Sequence, residues 1–468
     1  MKKKLILFGA GFYGENAFFK FEKEYDIICF VDNNKKLWGE KKHGIPIVAF
    51  DELKNNKLED KDIVICTTSY ESIEMQLMSV GITRYYVFFE GFLYENDEAI
   101  TMLPIEISNY NYYRKVDGEK NILFVQNAAC IRTHKIASVM KKQGYKVYLL
   151  YTLAPPESNN QEFASVYDGI YGFSSMDGIV DFVNNSEFDV IHSSNAPDML
   201  TNIMLCTTKP VVHDTHDMNS LWGNDSIEEL VLEYRANRYS DGNIYTSEDV
   251  TKIAQEKFDL SENDVFTLEN VVLDQVAIEN AYEKLSDRDG EIHCVYEGGM
   301  IGGDKNSDRF FEEIWKQIVS QGIHIHFYSQ GDEKYCRALG ESDDHLHYEG
   351  NMGSKELIRE MTKYDCGLAI FNINDKNRLF METGTANKVY EYINSGLPVA
   401  VGDLKSNKEF VEGYGVGKQI DFSKDLKKQF EDLIEITIPP NFLIDNGLTM
   451  MSRGNELVEF YERVKMRG

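Results

Sequence analysis

The sequence predicts an α/β protein of three Rossmann-like domains, on three observations. Short apolar runs alternate with helical patterns along most of the chain, which implies parallel sheets with helices on both faces. The alternation starts afresh three times: at KKLILFGAG from Lys3, at KNILFVQNA from Lys120 and at EIHCVYEGG from Glu291. The 468 residues also exceed what one hydrophobic core serves.

The first block, residues 1–95, reads as strand LILFG, helix, strand DIICFVD, an extended GIPIVAF, strand DIVICTT, helix and strand RYYVFFEG. GAGFYG fits GxGxxG with Gly9, Gly11 and Gly14, after a strand and at the start of a helix. Asp32 ends the next strand. The glycines would let a pyrophosphate reach the helix N-terminus, and the carboxylate would take a ribose hydroxyl. The same residues also fit a Rossmann turn that binds nothing. No Tyr/Lys pair or hydride-transfer constellation follows, so a redox cofactor is not expected. Residues 96–118 have no clear period and read as a linker.

The second block, residues 119–285, has strand candidates NILFVQ, KVYLLYT, FDVIHSS, KPVVHDT, GNIYTS and DVFTLEN. VVHDTHDMNSLWG sets His213, Asp214, His216 and Asp217 where a strand leaves the sheet, the edge at which open α/β sheets bind ligands. Such a group can orient a hydroxyl or act as a base. Its spacing also permits metal ligation, or a turn that caps the next helix.

The third block, residues 286–445, has strands IHCVYEGG, IHIHFYSQG, HLHYEGN, CGLAIFN and LPVAVGD. In VYEGGMIGGDKNSDRF, Gly298 and Gly299 permit close backbone approach, and Lys305 stands before a helix where a phosphate would sit. GxxxxGK[ST] is absent, and a flexible loop is the plainer reading. In METGTANKVYEYINSGLPVAVGD, Gly384, Thr385, Ala386 and Asn387 precede a helix and offer N–H groups to an anion. Lys388 adds charge there, and Glu391 could accept two ribose hydroxyls; a surface helix with an i,i+3 ion pair is the bland alternative. Residues 446–468 read as a final helix.

Composition narrows the partners. A formal net charge of −28 argues against nucleic acid, which needs a basic face. It also disfavours broad adhesion to anionic membrane, while leaving room for local peripheral contact. No run reaches the roughly 18 apolar residues of a span, and the apolar run within MKKKLILFGAGF is too short for a signal peptide and ends in glycines instead of a cleavage site. The seven scattered cysteines read as reduced core residues of a cytoplasmic protein. Asp287-Arg-Asp289 matches DxD but lies in a polar run, and His324, His326, His345 and His347 read as strand-face residues, so no metal site is assigned.

The second and third blocks together resemble GT-B glycosyltransferases, the retaining family-4 type. The pieces follow the family's order: HKIASVMKKQGYKVYLL, FDVIHSS and PVVHDTHD, LEYRANRYSDGNIYTSED, VFTLENVV, then YEGGMIGGDKN, YSQGD, YEGNMGSKELIREMTKYDCGLAIF and NKVYEYINSGLPVAV. The resemblance implies an acceptor domain at 119–285, a nucleotide-diphosphate-sugar donor domain at 286–445 and a last helix, 446–468, that crosses back to the acceptor domain. It implies metal-independent transfer with no cofactor beyond the donor, because helix N-termini and a basic residue neutralise the leaving diphosphate. Glu391 matches the second glutamate of the family's E-x7-E, Lys305 the basic residue on the diphosphate, and Asn387 the amides at phosphate or sugar. Glu382 lies one residue farther from Glu391 than the family spacing, with Thr383 at the x7 position, and Met300 stands where the family has an arginine. Asp214, His216 and Asp217 are the catalytic candidates by position. The first block resembles the Rossmann-like domains ahead of sugar acyltransferase and capsule-type enzymes, through GAGFYG, VDN and GIPI followed by DEL. Such domains tend to bind a nucleotide-sugar. The expected function is glycosyl transfer to a glycan, lipid-linked or protein acceptor in bacterial surface polysaccharide or glycoconjugate synthesis, in the cytoplasm or at the inner face of the membrane. A GT-B-type sugar-nucleotide 2-epimerase and a non-catalytic nucleotide-sugar scaffold are the alternatives.

Overall fold

A computed structural model describes residues 2–53, 61–68, 70–89, 92–97, 99–102, 111–155, 161–173, 176–195, 197–223, 226–278, 280–329 and 331–467. Part of the expected linker, 103–110, lies outside them. The chain divides into two compact units: residues 1–214, 235–243 and 460–468 form one, residues 215–234 and 244–459 the other.

The first unit opens with β1 (Lys3–Phe8), β2 (Tyr25–Val31), β3 (Lys41–Lys42), β4 (Ile45–Val48), β5 (Lys61–Ile65), β6 (Tyr86–Phe89), β7 (Phe92–Asp97) and β8 (Ala99–Met102), in the sheet order β3-β4-β2-β1-β5-β6-β7-β8. β1 pairs in parallel with β2 and β5, as an apolar strand covered on both faces should. β7 and β8 add an antiparallel edge to this sheet, so part of the stretch read as linker is strand.

The glycine turn after β1 is fixed by sterics. Gly9 has φ +119, and a Cβ there would lie 2.5 Å from the Cys66 carbonyl oxygen. A Cβ on Gly14 would overlap the Gly9 carbonyl oxygen, while Gly11 faces open space. Gly14→Ala should therefore lower stability by about 1–3 kcal/mol through backbone overlap, and Gly11→Ala should leave the thermal melt where it is. Equal melts for the two variants would contradict this packing.

The second sheet contains β9 (Lys120–Ala128), β10 (Tyr145–Ala154), β11 (Gly169–Gly172), β12 (Val190–Ser194) and β13 (Val211–Thr215), in the order β11-β10-β9-β12-β13 and parallel throughout. Its core joins Leu123, Val125, Leu150, Ile179, Phe182 and Ile191, with Tyr112 and Tyr113 packed against it. The last turns of the helix Gly454–Lys465 lie on this sheet: Tyr461 Oη is 2.6 Å from His192 Nδ1, and Tyr145 donates to Glu462 at 2.5 Å.

Farther along come β14 (Gly242–Tyr245) and β15 (Val265–Thr267). The third sheet, in the second unit, holds β16 (Ile292–Glu297), β17 (Ile323–Tyr328), β18 (Leu346–Gly350), β19 (Cys366–Ala369), β20 (Val399–Val401) and β21 (Gly417–Gln419). Its order is β18-β17-β16-β19-β20-β21, and its pairings are parallel. The reversal of winding between β16 and β19 marks where an open sheet of this kind binds its ligand.

Candidate functional site

The C-terminal ends of β16 and β19 carry the strongest site. β16 runs into Gly298, whose φ of +128 suits glycine, and then into Gly299. Tyr296 donates to the Gly299 carbonyl at 2.8 Å and holds the turn. The loop then doubles back, with Ile301 N–H on the Arg309 carbonyl at 3.2 Å. That closure returns Arg309 to the glycines: a Cβ on Gly299 would lie 2.5 Å from its Nη1. Asn372, just beyond β19, braces the loop through its amide to the carbonyls of Lys305 and Ser307 at 2.8 and 2.9 Å.

The helix Asn387–Asn394 sends the Lys388 side chain of its first turn to the same place. Ser247 and Ser406 bond the carbonyls of Thr383 and Gly384, and Asn407 Oδ1 accepts from Ala386 N–H at 3.0 Å. The helix is locked to the sheet by Tyr392, whose hydroxyl donates to the Leu368 carbonyl at 3.1 Å and accepts from Glu297 N–H at 3.1 Å. In its first turn Val389 N–H already bonds the Ala386 carbonyl at 3.0 Å. Lys388, one residue in, extends back to Gly298: its Nζ would be 3.1 Å from a Cβ there, and it lies 4.2 Å from the Tyr296 ring centroid and 5.0 Å from that of Phe371. Burial pulls its pKa down to about 8, against the opposing pull of Glu297.

The structure thus brings Gly298, Gly299 and Lys388 together, with Asn387 next to Lys388 in the chain, and Glu391 is near enough to Lys388 to act on its charge. Three other expected donor residues are placed differently. Lys305 is three-quarters exposed and pairs with Glu313 at 3.3 Å. Glu382 is held by Arg378 at 2.8 Å, one helical turn away. Thr385 lines a cavity of about 250 Å³ together with Tyr390, Glu248, Asp249, Glu269 and Glu409. Four carboxylates make that cavity a poor host for a diphosphate, whereas the glycine turn carries the cations Lys388 and Arg309. Arg309 is the residue that reading the sequence missed. It stands four residues after Lys305, and only the loop closure returns it to the glycines.

In the first unit, Asp214 is fully buried. Arg132, 3% exposed, donates to its carboxylate from Nε at 3.1 Å and from Nη2 at 2.9 Å, and His192 Nε2 is 3.3 Å away. His213 is buried between Thr201, at 2.9 Å, and Asp198, at 3.4 Å. In the second unit, His216 is half-buried and Asp217 exposed.

At the glycine turn of the first sheet, Asp32 Oδ2 accepts from Ala10 N–H at 2.8 Å and Oδ1 from Asn34 N–H at 2.7 Å. Lys42 reaches the Ala10 carbonyl at 3.0 Å and Glu15 at 3.1 Å. The carboxylate expected on a ribose thus also fixes the turn itself.

No helix among the described residues is long and apolar enough to cross a membrane. Residues 303–438 match the family model for the glucosyltransferase 3-like C-terminal domain, and residues 1–88 match that for the C2185-like N-terminal domain. No curated protein matches the chain. Among solved structures, the chain is similar to AviGT4, a glycosyltransferase of avilamycin A biosynthesis, at 11% identity and TM-score 0.50 over 75% of this chain and 99% of that one. A glycosyltransferase from Rickettsia africae matches at 12% identity and TM-score 0.50, over 74% and 99% of the two chains. Anabaena HepE in complex with UDP-glucose matches at 12% and 0.51, over 74% and 98%. The protein therefore has the fold of the GT-B glycosyltransferases, and residues 303–438 are similar to the glucosyltransferase 3-like C-terminal domain.

Proposed function

We propose that the protein is a glycosyltransferase that moves a sugar from a nucleotide-diphosphate sugar to a glycan, lipid-linked or protein acceptor in bacterial surface polysaccharide or glycoconjugate synthesis, in the cytoplasm or at the inner face of the membrane. The carrying observation is the pair of cations, Lys388 and Arg309, set against the Gly298–Gly299 turn. Two cations suit a diphosphate leaving group and do the neutralising that a metal does elsewhere. Glu391 takes the ribose hydroxyls, and Asn387 offers its amide to phosphate or sugar. The similarity to HepE, solved with UDP-glucose, favours a UDP-sugar as donor. The donor domain spans 286–445 and the acceptor domain 119–285, with the segment 446–468 returning to the acceptor domain. His216 and Asp217 are the catalytic candidates, while Asp214 holds Arg132 within the first unit. Residues 1–95 are proposed to bind a nucleotide or nucleotide-sugar through Gly9, Gly11, Gly14 and Asp32.

A thermal-shift screen against UDP, GDP, ADP, CMP, dTDP and NAD tests this reading, with Glu391→Ala alongside. One nucleoside diphosphate should stabilise the wild type and not the variant. Stabilisation that survives the substitution, or comes only from NAD, would move binding to Gly9–Gly14 and overturn the donor assignment.

A further inference from the structure

Five of the ten histidines converge on one face of the third sheet, at the end of its strands opposite Gly298. Cross-strand register makes the cluster: His293 stands opposite His324, and His326 opposite His347. The rings stack, His293 on His324 at 4.5 Å and His326 on His347 at 4.4 Å. They also bond to one another, with His293 Nδ1 2.9 Å from His326 Nε2 and His324 Nδ1 2.9 Å from His347 Nε2. In each such bond one ring nitrogen donates and the other accepts through a bare lone pair. Carboxylates ring the cluster: Asp289 on His293 at 3.0 Å, Glu349 on His326 at 2.7 Å and Asp343 on His345 at 3.1 Å.

At the solvent side of the cluster, Glu291, His324 and His345 each present one ligand atom, all within 4.8 Å of one another. They come from the starts of three adjacent strands, β16, β17 and β18. We propose that Glu291, His324 and His345 form a binding site for a zinc-like divalent transition-metal ion, with water completing the coordination. Two imidazoles and one carboxylate suit Zn²⁺, Co²⁺ or Ni²⁺ and not Mg²⁺ or Ca²⁺, which take oxygen ligands.

The geometry needs only a small adjustment. Bonds of about 2.0–2.1 Å at tetrahedral angles separate two ligand atoms by roughly 3.3 Å. Glu291 Oε2 and His324 Nε2 are 2.5 Å apart, joined by a hydrogen bond that an ion would replace. Glu291 is half-exposed and free to swing by that amount, while His324 is 14% exposed and held from behind by His347. Asp343 holds the His345 ring in the same way. This is the outer support that orients metal-binding imidazoles. The site lies about 20 Å from the Gly298 turn, the length of the six-residue β16. Its ion would pin the strand starts of the third sheet and take no part in transfer.

Co²⁺ titration of the chelator-treated full chain tests the site, followed by the visible d–d absorption of a low-symmetry cobalt centre. One equivalent should bind and be displaced by Zn²⁺. Glu291→Gln and His345→Gln, both at partly exposed positions, should abolish the bands with circular dichroism unchanged. Asp343→Asn should keep the bands and weaken affinity about 10- to 100-fold. His43→Gln, which alters a histidine paired with Glu15 in the first unit, should bind as the wild type does. Absence of saturable binding, or bands unchanged in Glu291→Gln and His345→Gln, overturns the proposal.

Discussion

Lys388→Met and Arg309→Ala should each weaken binding of the cognate nucleoside diphosphate by about 2–3 kcal/mol, roughly 30- to 150-fold in Kd. Lys305→Ala should change it by less than about threefold, because an exposed ion pair such as Lys305–Glu313 is worth little and its charge is screened by water. Isothermal titration on the three variants separates the assignments. If Lys305→Ala costs as much as the other two, the diphosphate sits farther along the loop than the glycine turn. The lysine also sets a pH dependence. Burial between Tyr296 and Phe371 lowers its pKa to about 8 in the free protein. Affinity should therefore fall as pH rises through about 8, and this decline should be absent in Lys388→Met. Stability runs the other way. Above about 8 the folded protein has released this proton, while the unfolded chain keeps it up to about 10.5. Unfolding then takes up a proton, so the wild type gains stability relative to Lys388→Met across that window. A lysine that costs stability at neutral pH fits a place where an anion is expected.

What the sequence made legible follows from what is local. The three restarts at Lys3, Lys120 and Glu291 correspond to β1, β9 and β16, because apolar alternation and glycine punctuation act over a few residues. The helix at Asn387 and the glycine turn at Gly298 were readable for the same reason. Arg309 was not, since its place depends on a loop that closes through Ile301 and is braced by Asn372. The histidine cluster was half legible. Alternation puts His324 and His326 on one face, but only register sets His293 and His347 beside them. Asp32 reads as a ribose ligand from spacing, yet its carboxylate also serves the turn's own amide, a contact that spacing does not encode. Glu382 is a clear case of local chemistry with two meanings: the same residue fits a sugar contact and an i,i+4 partner for Arg378.

Asp214 draws the sharpest line between a chemical role and a structural one. Asp214→Ala should lower the stability of the first unit by about 3–5 kcal/mol, because it strands the buried Arg132 guanidinium without its counter-charge. The loss would be read as a lower urea midpoint. Asp214→Asn should fall in the same direction, since it keeps the shape and removes the charge. The double variant Arg132→Met with Asp214→Leu should recover much of the loss, because replacing a whole buried pair by apolar groups is often neutral or stabilising. A catalytic carboxylate predicts the reverse pattern: full stability in Asp214→Asn, turnover lost, and no recovery in the double variant. Burial decides between the two. With 0% exposure and both oxygens on Arg132, the carboxylate is spent on protein contacts. Tyr461 bonds His192, which is itself 3.3 Å from the same carboxylate, so the network ties the last helix to the second sheet. Its loss should loosen that helix before the rest of the unit, and hydrogen exchange at residues 460–465 should rise first.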